Sequence, residues 1–326
     1  MRPERREASR RSVLVAAAAG VLALAGCVAP PASGAVAIGH RPVHVTTTTN
    51  FITDTVAQIG GARVEVTGLM GPGVDPHLYR ASAGDVQALR GADVIFYGGL
   101  QLEGRMGDLV DDLGERQLTK AVTGAIPRDQ LLAPAPGSGE EYDPHVWFDV
   151  SLWAQVSRTI AATLTERDPA NASDYQAGLD AYLAQLSALD AEIVARLAPI
   201  PPERRVLVTS HDAFAYFGRR YGLEVTGIQG ISTAAEATTA DVERVAQLVA
   251  ERGVPAAFVE SSVPRQTIDA LLAAAAQRGA RVRVSGELYT DAAGEPGTPE
   301  GTYVGMLRAN AERIAGGLSR AADQEE

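Results

Sequence analysis

The stretch that most constrains the fold of this 326-residue chain runs from Ser173 to Ala198. Apolar side chains recur there at Tyr175, Leu179, Tyr182, Leu183, Leu186, Leu189, Ile193 and Leu197, the three- and four-residue steps of one helix face. The stretch has no proline and one glycine, and Pro199, Pro201 and Pro202 end it. At about 1.5 Å per residue the helix is on the order of 39 Å long, enough to cross a whole molecule. A dimerising coiled coil would use the same periodicity. The stretch is short for one, and Ala177, Ala181, Ala184, Ala188, Ala191 and Ala195 suit close packing against the chain's own surface. A monomer built round one long helix is the favoured reading.

On both sides of this helix, strand-like and helix-like segments alternate. Before it, 43–48 is a β-branched run, Asn50 is placed to cap a helix reaching Ile59, 63–67 and 93–97 read as strands, and 82–89 and 101–113 as helices. After it, strands are expected at 205–209, 223–228, 256–260 and 281–285. Helices are expected at 213–221, from a Thr238/Asp241 capping box to Glu251, at 265–278 and at 301–318. This order predicts an α/β protein with parallel sheets. Two βα lobes, 43–170 and 200–326, are joined by the helix of 171–199, a division that suits the chain's length. Ligands of such sheets bind beyond the carboxyl ends of the strands.

Five histidines are present, and two share one context: Asp75-Pro76-His77 and Asp143-Pro144-His145. Proline stiffens the backbone that precedes each imidazole. A third, His211 in Thr209-Ser210-His211-Asp212-Ala213-Phe214, closes a β-branched run. Three imidazoles at turns suggest a metal site, and with three neutral donors one carboxylate is wanted. Asp291, after the strand of 281–285, is preferred over Glu287. Asp75, Asp143, Asp212 and Glu260 are candidates to receive the second ring N–H of a ligating histidine, although each could equally serve a turn or cap. Trp147, Phe148, Phe214 and Phe217 read as wall and core. His40 and His44 are assigned no role.

The N-terminus carries five arginines and then an apolar run, 13–25, too short to span a bilayer, with the layout of a signal peptide over 1–26. The run ends at Leu24-Ala25-Gly26-Cys27, which resembles a bacterial lipoprotein box, and Cys27 is the chain's single cysteine. Lipidation of Cys27 is therefore expected, and a disulfide or a cysteine-based zinc site is excluded. Residues 9–14 also resemble a twin-arginine export signal. Residues 27–42 are rich in Pro, Ala and Gly and read as a lipid-anchored tether. Loss of residues 1–26, with five arginines and two glutamates, takes the formal charge from −11 to −14. Such acidity argues against nucleic-acid binding and suits a neighbour of cations.

Five motifs stand in the order and spacing of the TroA-like family: 75–79, 143–147, 209–218, 260–262 and 286–291. These are the cluster A-I zinc- and manganese-type solute-binding lipoproteins of bacterial ABC importers. The resemblance implies two lobes on one rigid helix and a cation between them, held by His77, His145, His211 and Asp291. It also implies delivery to an ABC permease and its ATPase from a chain anchored at the outer or periplasmic face of the cell membrane. Zinc ranks first by donor softness; manganese second and ferrous iron third, should Asp291 bind through both oxygens. Zinc-selective members often carry a long His- and acid-rich loop before the second Asp-Pro-His, where this chain has only Gly137 to Glu141. Affinity should fall below about pH 6.5. The alternatives are a zinc hydrolase, for which no His-Glu-x-x-His helix is present, and a surface adhesin.

Overall fold

The computed structural model describes residues 38–133 and 141–319. Its first half contains β1 (Val43–Thr47), α1 (Asn50–Gly60), β2 (Val64–Gly68), α2 (Ala83–Gly91), β3 (Val94–Tyr97), α3 (Gly107–Gly114) and β4 (Leu118–Ala121). The four strands form one sheet in the order β2-β1-β3-β4, every pair parallel, with Val45 in register with both Val66 and Val94. Chain progression reverses direction across β1, so a crevice lies past the carboxyl ends of β1 and β3.

The second half begins with α4 (Val150–Arg167) and α5 (Ala172–Leu197). It continues with β5 (Val206–His211), α6 (Ala215–Tyr221), β6 (Glu224–Gln229), α7 (Thr239–Arg252), β7 (Ala256–Glu260), α8 (Gln266–Gln277), β8 (Arg283–Leu288) and α9 (Tyr303–Ser319). β5 pairs with β6 and β7 with β8, both parallel. β5 packs beside β7 without a ladder between them, so this half carries two narrow ladders and not one sheet.

α5 is the spine expected from the sequence. Its 26 residues bury Tyr175, Leu179, Tyr182, Leu186, Leu189, Ile193 and Leu197 against α1, α4 and α9. The Tyr182 hydroxyl, 3.1 Å from Thr55 Oγ1, ties the spine to α1. A single apolar core runs from Val45 and Phe51 through Trp147 and Trp153 to Phe214 and Tyr303, reaching both sets of strands. Each half adds a smaller core of its own.

Several local expectations change. The helix predicted over 101–113 starts only at Gly107, after a run of turns over 101–106; Leu100 and Gln101 have φ of +53° and +64°, a left-handed conformation that keeps Gln101 out of any right-handed helix. Asn50 does not cap α1; its side chain is engaged elsewhere. The segment assigned to a tether joins the body at its end. Ile38 is buried, and Arg41 makes a two-point ion pair with Asp93 at 2.6 and 2.9 Å. Asp93 is held low, at about 2, where hydrogen bonds from Arg41 and the His44 N–H outweigh the burial that would raise it. β4 and α4 had no expectation attached. Among the described residues no helix is long and apolar enough to cross a membrane.

The spine meets α1 closely at Gly178, where an added Cβ would stand 2.1 Å from the Ile59 carbonyl oxygen. Alanine is the better helix former by about 1 kcal/mol, yet here the contact decides. Gly178→Ala is expected to lower stability by about 1–3 kcal/mol, as overpacking does. Thermal denaturation showing an unchanged or raised midpoint would contradict this packing.

Candidate metal centre

The two Asp-Pro-His turns fold alike. In each, the aspartate Oδ1 accepts the histidine backbone N–H two residues on, at 2.8 Å for Asp75 and His77 and 2.9 Å for Asp143 and His145. This is the Asx-turn geometry that the proline's fixed φ prepares. Asp143 Oδ1 also lies 2.7 Å from the His145 ring Nδ1. An ionised carboxylate can only accept, so Nδ1 carries the proton and Nε2 presents its lone pair. His211 ends β5 and Glu260 ends β7. Glu260 accepts the His211 backbone N–H at 2.9 Å and closely engages its ring Nδ1. Gly227 on β6 lets the backbones meet here: a Cβ would stand 2.4 Å from the Asp212 nitrogen.

Asp291 follows β8. Ser262 donates to its Oδ2 at 2.8 Å, and Oδ1 faces Nε2 of His145 and Nε2 of His211, both at 3.6 Å. Nε2 of His77 is 3.4 Å from Nε2 of His145. One ligand atom from each of the four residues lies within 4.8 Å of the others, and all four residues are buried. Four donors about 2.1 Å from a tetrahedral zinc would be about 3.4 Å apart. His211 Nε2 and Asp291 Oδ1 have no hydrogen-bond partner among the described residues. Buried polar atoms are nearly always paired, so two left bare across one gap mark a place for a cation.

The electrostatics separate the imidazoles. Burial pushes His77 down to about 3, with Asp291 pulling upward and the other two histidines adding to the fall. Burial would lower His211 too, but Glu260 and Asp291 hold it well above the ordinary 6.5. Burial opposes ionisation of Asp291, yet the facing histidines, His211 foremost, keep its carboxyl well below the usual range. At neutral pH and without metal the centre therefore holds a neutral His77 and a His211 imidazolium between two carboxylates.

Other candidates fall outside the cluster. Glu287 is exposed on β8, His40 is exposed, and exposed His44 sits 3.3 Å from Glu65. Of the four acidic candidates, Asp143 and Glu260 meet a ligating ring. Asp75 engages His77 through its backbone N–H and not its ring, and Asp212 makes no hydrogen bond to a site imidazole among the described residues. Trp147 and Phe148 are buried behind His145, with Phe148 stacked on Phe214 at 4.2 Å.

Three positioning side chains went unread in the sequence. Asn50 pairs with both backbone groups of Ala293, at 2.9 and 2.8 Å, fixing the segment just past Asp291 to α1. The Trp147 indole N–H donates to the Thr290 carbonyl at 3.0 Å, and the Tyr216 hydroxyl to the Asp143 carbonyl at 2.9 Å. Trp147 and Tyr216 stood inside the quoted motifs, but nothing in the pattern named their partners.

A family model described as the periplasmic zinc-uptake complex component A, ZnuA, matches residues 45–317. The chain belongs to this family. The relatives agree in extent. The zinc-binding protein TroA of Treponema pallidum is 46% identical over 276 residues, covering 85% of this chain and 89% of that one. The manganese-binding lipoprotein MntA of Bacillus subtilis strain 168 is 43% identical over 309 residues, 95% of this chain and 99% of its own. The solved structure of the periplasmic zinc-binding TroA superposes with a TM-score of 0.83, covering 86% of this chain and 100% of that one. Family membership thus meets the α/β architecture with its single long helix. Residues 1–37, with Cys27, and the short loop at 134–140 lie outside the described residues.

The opposite shifts of His77 and His211 can be read directly. Nitrogen-15 NMR of histidine-labelled, metal-free protein at pH 7 should show an imidazolium that disappears in His211→Gln, while His77 stays neutral down to pH 5. The sign follows from the shifts. His77 lends stability fully present above 6.5 and lost as pH falls toward about 3. The pairing of His211 is fully present below 6.5 and is lost as pH rises through its raised value. A neutral His211 at pH 7 would contradict the pairing described.

Proposed function

We propose that this chain is the extracytoplasmic binding protein of an ABC importer. It captures a divalent transition metal at His77, His145, His211 and Asp291 and hands it to a membrane permease driven by a cytoplasmic ATPase. The observation that carries this reading is the pair of bare, buried ligand atoms, His211 Nε2 and Asp291 Oδ1, inside a four-residue cluster. Zinc ranks first, manganese second and ferrous iron third. Three nitrogens and one oxygen suit zinc, and with Asp291 Oδ2 bonded to Ser262 one carboxylate oxygen faces the histidines. Relatives named for zinc and for manganese are similarly close, so the ranking rests on the donors. Four protein donors complete a tetrahedral shell and leave no position for an activated water, which favours a carrier over a hydrolase.

In this reading residues 1–26 are an export signal, lipidated Cys27 holds the chain to the outer face of the membrane, and a tether leads to a monomeric body. Lobes 43–170 and 200–326 flank the connecting helix 171–199. Because one core and α5 run through both halves, metal capture proceeds with a small rearrangement of the lobes.

Metal analysis of the purified protein by mass spectrometry should find zinc near one equivalent. His211→Ala and Asp291→Ala should each lose most of it, whereas Glu287→Ala keeps it; the reverse pattern for the two acids would overturn the ligand set. Binding should also displace the His211 proton. Calorimetry at pH 7 in buffers of different ionisation enthalpy is expected to report about one proton released per metal. The decline of affinity with falling pH is then already under way at pH 7, above the onset near 6.5 expected for an ordinary histidine, and zero proton release would contradict this account.

A further inference from the structure

Three of the four groups at the centre are fixed by a side-chain neighbour. Asp143 holds the His145 ring, Glu260 holds the His211 ring, and Ser262 holds Asp291. No carboxylate or carbonyl engages Nδ1 of the His77 ring among the described residues, whose Nε2 alone approaches another ring. His77 is also the most exposed of the four, at 5% against 0%, 0% and 1% for His145, His211 and Asp291.

What sets His77 is its backbone. Its N–H is bound to Asp75 Oδ1 at 2.8 Å, and the other oxygen of Asp75 accepts the hydroxyl of Thr233 at 2.5 Å. Thr233 is buried and belongs to the loop after β6, so this bond crosses from the second half of the fold to the first. Its neighbours Ile231, Ser232 and Ala234 line a cavity of about 580 Å³, whose wall includes His77 and Pro144 and whose other side is formed within 97–111. His77 is thus the one member of the cluster that also lines this cavity among the described residues. A carboxylate bonded through both oxygens cannot turn without breaking one bond, so Thr233 holds the Asp75 end of the turn, while the Tyr79 hydroxyl, 2.8 Å from Asp85 Oδ2, holds the chain beyond His77.

We infer that Thr233 is a positioning residue for metal release: its bond across the cleft to Asp75 holds the 75–77 turn, and breaking it lets the His77 ring swing into the cavity and free the ion. The inference rests on the reading of the cluster as a metal centre. A hydrogen bond to a carboxylate of this kind controls a rate by on the order of tenfold when lost.

The full chain decides the matter in two measurements. Thr233→Val keeps the shape and removes the donor; Thr233→Ser keeps the donor. Hydrogen exchange of the metal-free protein should show the His77 amide losing protection in the valine variant, with the thermal midpoint unchanged and the serine variant like wild type. Zinc release to a competing chelator, followed by stopped flow, should be on the order of tenfold faster in the valine variant and unchanged in the serine variant. Unaltered exchange and release in Thr233→Val, or equal changes in both variants, would overturn the positioning role. A wild-type chain that retains no zinc would overturn the reading of the site and the release role with it, while the exchange measurement still decides the hold on the turn.

Discussion

A carboxylate and three imidazoles gathered almost out of reach of water set the conditions the rest of this molecule meets. Burial opposes the charge on Asp291, which the facing histidines, His211 foremost, hold in place, and burial opposes the charge on His211, which Glu260 and Asp291 together hold in place. Removing one partner from such an arrangement leaves a buried charge without compensation. A divalent ion resolves the arrangement more completely than one proton does, since it meets the bare nitrogen and the bare oxygen together.

Holding four donors to that geometry is a problem of rigidity, and the fold answers it at two scales. At the larger, α5 lies in a core shared by both sets of strands, so the halves cannot separate without exposing apolar surface. At the smaller, loops that carry donors are tied to remote elements. Asn50 on α1 grips Ala293, Trp147 grips Thr290, and Tyr303 at the start of α9 donates its hydroxyl to the Trp147 carbonyl at 2.7 Å and its backbone N–H to Asp54 at 2.9 Å. Each tie joins residues more than a hundred positions apart.

This pattern explains how much of the molecule could be read from its sequence. Strands and helices with clean periodicity were legible, as were the spine and the capping boxes at Ser82/Asp85 and Thr238/Asp241, the second of which was foreseen. The four clustered side chains were legible too, because proline-locked turns and strand ends are local signals. α4 was passed over because Ser157, Thr159 and Thr163 interrupt its apolar face. In the structure their hydroxyls bond to carbonyls four residues back, at 2.8, 3.2 and 2.8 Å, and are buried at little cost. β4, the edge strand Leu118–Ala121, has too few side chains in the core to show a pattern. The ties of Asn50, Trp147 and Thr233 were out of reach for another reason: a hydrogen bond between distant positions leaves no spacing behind. Asn50 in particular occupies a position where capping is the ordinary use of its side chain.

The ion pair between Arg41 and Asp93 has a geometric consequence. Arg41 precedes β1 and Asp93 precedes β3, so the pair closes the amino edge of the first sheet, while His211 and Glu260 end their strands and His77 and Asp291 follow theirs at the carboxyl edges. The described chain therefore enters the first sheet at the edge opposite the one toward which the four clustered side chains gather.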